Sequence, residues 1–147
     1  MSQHNKTAKV VWEGQGLAFK ATGGSGFTLR MDNPSGPGGA SPMELVAMAS
    51  AGCTASDVID ILRKKHQEVT GFEVNVVAAR ASEPPMLYTE IDIEYVVRGR
   101  EIDPKAVERS IELSLTKYCS VNLMLGHTAK INSHYRIEEE ESEAVSA

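Results

Sequence analysis

The sequence predicts an α+β protein in which an antiparallel sheet wraps around one long central helix. A helical pattern runs from Ser41 to about Lys64. Regular alternation of apolar and polar residues over residues 72–81 and 87–97 predicts a β-hairpin with one solvated face. A length of 147 residues, 41% of them hydrophobic and 24% charged, predicts a single globular domain over residues 1–147.

The long helix has a clear start and an unusual middle. Ser41 is a suitable N-cap, Pro42 fits the first helical position, and Glu44 stands at the capping-box spacing. From Ala47 to Ser56 nearly every side chain is small, so another backbone can approach closely. Cys53 lies in this segment, where it is either a small buried apolar residue or a thiol available for chemistry. Because a single sheet cannot cover a long helix whose middle has only small side chains, we expect a second copy of the chain to complete the core in a closely packed homodimer.

Shorter elements flank the helix and the hairpin. Runs at residues 9–12, 17–21 and 27–31, separated by glycine turns, predict a meander of three strands. Asp103 and Pro104 predict the start of a second helix, with Val107, Ile111 and Leu115 on its buried side. A short helix that ends at Gly126 and a last strand over residues 129–137 follow. Residues 1–6 and 138–147 are predicted to be flexible.

Composition narrows the classes of function. A net charge of −5 with scattered basic residues argues against nucleic-acid binding. We expect no apolar run to span a membrane, and the first nine residues lack a signal-peptide core, so a cytoplasmic location is predicted. The glycine-rich loop before the long helix lacks the Lys-Ser/Thr pair of a P-loop, and no cofactor is predicted. In a reducing compartment the two cysteines, Cys53 and Cys119, are expected to be thiols or a working redox pair.

Cys119 falls at or just before the start of the short helix. The positive end of a helix dipole favours a thiolate at such a position. The sequence therefore predicts that Cys119 ionises readily.

A family resemblance rests on three short segments. Pro-Met-Glu-Leu and Ala-Gly-Cys-Thr in the long helix, with Tyr-Cys-Ser-Val about one hairpin and one helix later, resemble the OsmC/Ohr family and within it the YhfA-like branch. The resemblance covers the chain from its first strands to Tyr135. It implies an intertwined homodimer with two sites at the interface, and thiol peroxidase activity toward organic hydroperoxides. By position, Cys53 would be the peroxidatic cysteine and Cys119 the resolving one, with a dithiol as reductant.

The same resemblance implies two supporting residues. In the family an arginine from the N-terminal strands lowers the pKa of the reactive cysteine, and a glutamate near the start of the long helix orients that arginine. Arg30 is the only arginine before the helix, and Glu44 is the only acid in its first turn. The hydroperoxide reductases carry the glutamate directly after the proline, where this chain has Met43, and commonly carry proline where it has Ser120. A capping role for Glu44 is therefore the alternative.

Two other classes of function stay open. One is a dimeric binding module that holds a small apolar or thiol-bearing ligand without turnover, in a pocket lined by methionines and leucines. The other is a metal site that joins Cys53 and Cys119 to one of three histidines, His66, His127 or His134. These ligands lack the close spacing of zinc sites, so no metal ligand is predicted.

Overall fold

The computed structural model describes residues 4–140 and confirms the α+β class. In chain order its elements are β1 (Ala8–Trp12), β2 (Phe19–Gly23), β3 (Thr28–Met31), α1 (Pro42–Lys64), β4 (Glu68–Arg80), β5 (Tyr88–Arg100), α2 (Pro104–Leu113), a π-helical turn (Ser114–Tyr118), α3 (Ser120–Leu125) and β6 (Lys130–Glu139). The chain divides into two compact units, one up to Val46 and one from Ala47 onward. That both belong to one domain stays a prediction.

The first unit contains the predicted meander. Strands β1, β2 and β3 form an antiparallel sheet in sequence order, with Val10 opposite Ala21 and Phe19 opposite Met31. Gly26 has a φ of +95° in the turn between β2 and β3, a conformation that glycine adopts without steric cost. This part of the prediction is confirmed.

Helix α1 begins at the predicted place. The backbone N–H of Glu44 donates to the Ser41 hydroxyl at 3.2 Å, which satisfies one of the free amides of the first turn. Within the second unit the buried residues of α1 lie four apart along a single stripe, and they are Ser50, Thr54, Val58 and Leu62. A stripe of this kind is the face that one neighbouring layer covers.

The apolar character of α1 corrects one expectation from the sequence. The helix is 23 residues long, and its most apolar 18-residue window has a mean hydropathy of 1.5, which suffices by length and composition to cross a membrane. Our expectation that no run reaches this threshold was wrong. The small residues from Ala47 to Ser56 cause the difference, because alanines raise the hydropathy without adding bulk. The core helix of a globular fold can meet the same criterion, and the absence of a membrane partner stays a prediction.

The second unit is built on a three-stranded sheet in the order β4-β5-β6 within the described residues. Strands β4 and β5 form the predicted antiparallel hairpin, with Val76 opposite Ile93. Strand β6 pairs with β5 in parallel, with Ile91 opposite Ile131, so this sheet is mixed and not purely antiparallel. The two helices and the π-helical turn between β5 and β6 provide the long crossover that a parallel return requires.

The core of this unit follows the predicted patterns with two exceptions, Val96 on β5 and Leu115, which is only partly buried and lies in the π-helical turn after α2. Ile91, Ile93, Tyr95 and Val97 are buried on β5, and Val107 and Ile111 are buried on α2. Val96, on the opposite face of β5, is also fully buried, so this face is not wholly solvated as the alternation predicted. Asp103 caps α2 by accepting a hydrogen bond from the Lys105 N–H at 3.0 Å, as predicted.

The end of the chain also differs from prediction. Strand β6 extends to Glu139, so the expectation that residues 138 and 139 are flexible was wrong. The extension pairs with β5, with Gly99 opposite Glu139, and Arg98 donates to the Glu138 carboxylate at 2.8 Å. Of the other residues predicted to be flexible, 4–6 and 140 are described and lie outside helices and strands, whereas 1–3 and 141–147 lie outside the described part of the chain.

Candidate functional site

Cys53 lies in the second unit, on the small-residue segment of α1. Its side chain is partly exposed, and it is a free thiol. The Ser120 hydroxyl oxygen lies 4.0 Å from the Cys53 sulfur.

Cys119 occupies the N-cap of α3, as the sequence predicted. The π-helical turn ends at Tyr118, and the backbone N–H of Cys119 still donates to the Ser114 carbonyl at 2.7 Å. Cys119 then leaves helical geometry with φ −79° and ψ 95°. This extended conformation turns its sulfur back over the first turn of α3, where the backbone N–H of Asn122 donates to it at 3.5 Å. The cysteine is fully buried.

Burial reverses the predicted acidity of Cys119. Removal from water raises the pKa of this thiol from its ordinary value of 9.0 to about 11. The hydrogen bonds from Asn122 lower the pKa, but they do not offset the desolvation, and the interaction with Cys53 raises it further. The prediction that the helix N-terminus yields a ready thiolate at Cys119 was therefore wrong.

The structure brings the two cysteines together. The hydroxyl oxygen of Ser120, the residue after Cys119, lies 4.0 Å from the Cys53 sulfur. Asn122, which donates to the Cys119 sulfur at 3.2 Å, also donates to the Ser50 carbonyl on the helix that carries Cys53. Residues 66 positions apart in the sequence thus place their sulfurs in one site, one partly exposed and the other buried. Such an arrangement can convert reversibly between two thiols and a disulfide.

A match to a known family accompanies this geometry. Residues 34–134 match the family described as OsmC-like protein, and this span includes both cysteines. The chain belongs to the OsmC-like family. The protein YhfA of Escherichia coli strain K12 is 42% identical over 130 residues, which cover 88% of this chain and 96% of that protein. The branch suggested by the sequence segments is thereby confirmed.

Two solved structures share the fold. A hypothetical protein from Aquifex aeolicus VF5 superimposes with a TM-score of 0.85 at 28% identity, covering 95% of this chain and 100% of that one. The organic hydroperoxide resistance protein OhrB of Bacillus subtilis superimposes with a TM-score of 0.62 at 15% identity, covering 92% of this chain and 100% of that one. The second likeness concerns the fold alone.

Arg30, the predicted activating cation, lies on β3 in the first unit. Its guanidinium donates to the Glu13 carboxylate at 2.9 Å and lies 3.6 Å from that of Asp32. The hydrogen bond and charge of Glu13 raise the pKa of Arg30, so the group stays cationic. Its role beside Cys53 stays a prediction.

Glu44, the predicted orienting acid, has a structural role in the helix cap through its backbone N–H. Among the described residues, the carboxylates that hold Arg30 are Glu13 and Asp32. Sequence reasoning missed Glu13, which follows β1 directly and precedes Arg30 by 17 positions. Only the antiparallel pairing of β1, β2 and β3 could have indicated that they meet.

Buried polar residues around the thiols were also missed. Ser50 donates to the Asn122 side-chain oxygen at 2.6 Å, and Thr54 lies 2.7 Å from the Ser114 hydroxyl. The signal was present, since Ser50 and Thr54 are four apart on the same helix face as Val58. The helix segment of small side chains therefore carries two hydroxyl groups, those of Ser50 and Thr54, on its buried side.

The alternative of a metal site at Cys53 and Cys119 lacks a third ligand in the described part of the chain. No group of three or more histidine, cysteine or acidic side chains that could hold a metal occurs among residues 4–140. Of the three methionines suggested for an apolar pocket, Met43 is half-buried, whereas Met48 is 57% exposed and Met124 is 71% exposed.

Proposed function

We propose that the protein is a thiol peroxidase that reduces organic hydroperoxides, with Cys53 as the attacking thiol and Cys119 as the resolving one. The observation that carries the proposal is a partly exposed thiol beside a fully buried one, with the hydroxyl of Ser120, the residue after Cys119, 4.0 Å from the Cys53 sulfur. A structural cysteine in the core has no need of a second one, and the family match extends across both residues.

The proposed chemistry balances with these two sulfurs and one external dithiol. The Cys53 thiolate attacks one peroxide oxygen, the O–O bond breaks, and the alcohol leaves after taking up a proton. Cys53 is now a sulfenic acid. Cys119 attacks that sulfur, the S–S bond forms, and the hydroxyl leaves with the Cys119 proton as water. A dithiol then reduces the disulfide by two exchange steps and becomes a disulfide itself.

Access and protonation support this division of roles. A hydroperoxide arriving from solvent meets Cys53 first, because Cys119 has no exposed surface. A pKa of about 11 keeps Cys119 in the thiol form near neutral pH, which suits a group that reacts only after its partner is oxidised. The B. subtilis protein of the same fold is an organic hydroperoxide resistance protein, which supports the class of substrate.

Three further parts of the proposal concern the surroundings of the site. Arg30 is proposed to supply the positive charge that activates Cys53, with Glu44 as a weaker supporting candidate because its observed contact is a helix cap. A homodimer is proposed to cover the exposed apolar side chains of α1, Met48 among them. The reaction is proposed to take place in the cytoplasm, where dithiol reductants are available.

Mass spectrometry after treatment with an organic hydroperoxide tests the proposal. The wild type should form an intramolecular disulfide between Cys53 and Cys119 that a dithiol reverses. Cys119→Ser should consume about one equivalent of peroxide and then over-oxidise at Cys53. Cys53→Ser should consume almost none. If the wild type keeps two free thiols under conditions that oxidise a simple thiol, the proposal of peroxidase activity is rejected. The alternative, a non-catalytic binding module, then replaces it.

A further inference from the structure

Asn122 is held against the Cys119 sulfur by a set of buried hydrogen bonds. Its side-chain Nδ2 donates to the sulfur at 3.2 Å and to the Ser50 carbonyl at 3.1 Å. Its Oδ1 accepts from the Ser50 hydroxyl at 2.6 Å. Asn122 is 3% exposed and Ser50 is 0% exposed.

These contacts fix which end of the amide faces the sulfur. A backbone carbonyl can only accept, so the amide atom that faces the Ser50 carbonyl must be the nitrogen. The Ser50 hydroxyl then has the amide oxygen as its acceptor. The side-chain nitrogen is therefore the atom presented to Cys119, and the backbone N–H of Asn122 adds a longer contact at 3.5 Å. The N–H groups of one residue thus point at one sulfur of the pair.

Such donors matter most when the sulfur carries charge. In thiol–disulfide exchange the incoming thiolate bonds to one sulfur and the other leaves as a thiolate. The leaving sulfur needs stabilisation at that moment, and hydrogen bonds to a charged acceptor are stronger than those to a neutral one. The hydroxyl contact of Cys53 is longer, since the Ser120 oxygen lies 4.0 Å from the Cys53 sulfur.

We propose that Asn122 makes Cys119 the leaving sulfur when the Cys53–Cys119 disulfide is reduced, so that the reductant becomes bonded to Cys53. The inference rests on the proposed function for the existence of that disulfide in the working protein. In the step, the dithiol thiolate forms a bond to the Cys53 sulfur and the S–S bond breaks. The bonding electron pair goes to Cys119, and the second thiol of the reductant then releases Cys53. Asn122 is a catalytic residue in this step because it touches a reacting atom.

The exposure of the two sulfurs agrees with this direction of attack. Cys53 is partly exposed and Cys119 is buried, so a reductant reaches Cys53 more easily. Burial alone would make Cys119 a poor leaving thiolate, because it raises the pKa of this thiol to about 11, so its departure depends on the hydrogen bonds from Asn122 that act against this increase.

The first experiment uses a disulfide made without peroxide. Diamide first oxidises the purified wild-type protein to the disulfide. The monothiol glutathione is then added, and peptide mapping shows which cysteine carries the mixed disulfide. We expect glutathione on Cys53. Glutathione found mainly on Cys119 would overturn the inference. If diamide gives the predicted product while an organic hydroperoxide oxidises neither cysteine, the proposed function is rejected and the role of Asn122 stands.

The second experiment removes the side-chain donor. In Asn122→Ala the diamide-formed disulfide should be reduced by dithiothreitol roughly tenfold more slowly, because one hydrogen bond to a charged sulfur is lost. The matched control is Asn132→Ala on β6, whose side chain bonds to Glu90 and Asp92 instead, and it should leave the rate unchanged. Alkylation of reduced Cys53 by iodoacetamide should also be unchanged in Asn122→Ala. Equal reduction rates in wild type and Asn122→Ala would contradict the inference.

A third measurement separates stabilisation of charge from structural support. Asn122→Asp keeps the shape of the side chain but places a carboxyl group beside the departing sulfur. A phosphine reductant remains reactive in acid, so the wild-type to variant ratio of reduction rates can be followed from about pH 4 to about pH 8. The ratio should increase with pH as the carboxyl group ionises and repels the thiolate. A ratio that is constant with pH would mean that Asn122 acts only on structure.

Discussion

The hydroxyl of Thr54 on α1 lies 2.7 Å from the phenol oxygen of Tyr95 on β5, and both side chains are fully buried. Thr54 also lies 2.7 Å from the Ser114 hydroxyl, which donates to the Asp57 carboxylate at 2.9 Å. Because the ionised carboxylate can only accept, the protons must be arranged in one direction, from Tyr95 to Thr54 to Ser114 to Asp57. A directed row of hydroxyl groups therefore ties α1 to the sheet beside the two thiols.

Loss of the central hydroxyl should destabilise the protein. Thr54→Val keeps the side-chain volume but leaves the Tyr95 hydroxyl without its acceptor and the Ser114 hydroxyl without its donor. We expect the free energy of unfolding in urea to fall by about 1–3 kcal/mol, the cost of buried polar groups left unpaired. Thr89→Val is the matched control, because that exposed hydroxyl makes a single contact at 3.3 Å. A loss no larger than in the control would show that the row carries no stability.

The buried thiol of Cys119 and the buried phenol of Tyr95 should make the folded protein less stable at alkaline pH. Burial raises the pKa of Cys119 from 9.0 to about 11 and that of Tyr95 from 10.0 to about 12. A folded pKa above the unfolded one means that the folded state binds its proton more tightly. The resulting stability is present below about pH 9 and is lost as the pH rises toward about 11 and 12.

The measurement is the free energy of unfolding of the reduced protein against pH. It should decrease above about pH 9, and Cys119→Ser should make the decrease shallower between about pH 9 and pH 11. Ser120→Ala, which removes a neighbouring group that does not titrate, should leave the slope as in the wild type. An identical slope in Cys119→Ser would refute the contribution of this thiol.

The elements of the fold were predictable from local patterns. The cap at Ser41 and Pro42 located the start of α1, and alternation in β4 and β5 located the hairpin. The parallel pairing of β6 was not predictable, because β6 has the same alternation whether it lies parallel or antiparallel to β5. Its direction depends on the crossover through α2 and α3, which is a property of the whole chain.

The cysteines of the site were predictable, and their surroundings were not. Composition and the family segments indicated Cys53 and Cys119 as a pair. The acidity of Cys119 was predicted wrongly because the position of a residue in a helix reveals the dipole but not the burial. Asn122 was missed since its contact with Ser50 joins residues 72 positions apart. A contact of that range follows from packing and leaves no local pattern.

The exposed apolar surface predicts a dimer. In the described chain α1 leaves Met48 57% exposed, although the helix is among the most apolar segments of the sequence. Sedimentation at low micromolar concentration should give a dimer. Met48→Glu should weaken association roughly hundredfold, because an apolar interface would bury a charge without a partner. Glu83→Lys, a charge change in the turn between β4 and β5, is the control. A stable, well-folded wild-type monomer would count decisively against the dimer.

The last prediction concerns the cation that activates Cys53. Arg30 is kept charged by Glu13, and if it lowers the pKa of Cys53 it increases the thiolate fraction near neutral pH. Arg30→Ala should therefore slow alkylation of Cys53 by iodoacetamide about tenfold near pH 7, because loss of the cation reduces the thiolate fraction. Lys20→Ala is the matched control, because Lys20 lies opposite Arg30 in the same sheet and this substitution also removes one positive charge. Both variants should keep the wild-type circular dichroism spectrum. If alkylation in Arg30→Ala is as fast as in Lys20→Ala, another cation serves the thiol or none does, and Arg30 serves only its ion pair with Glu13.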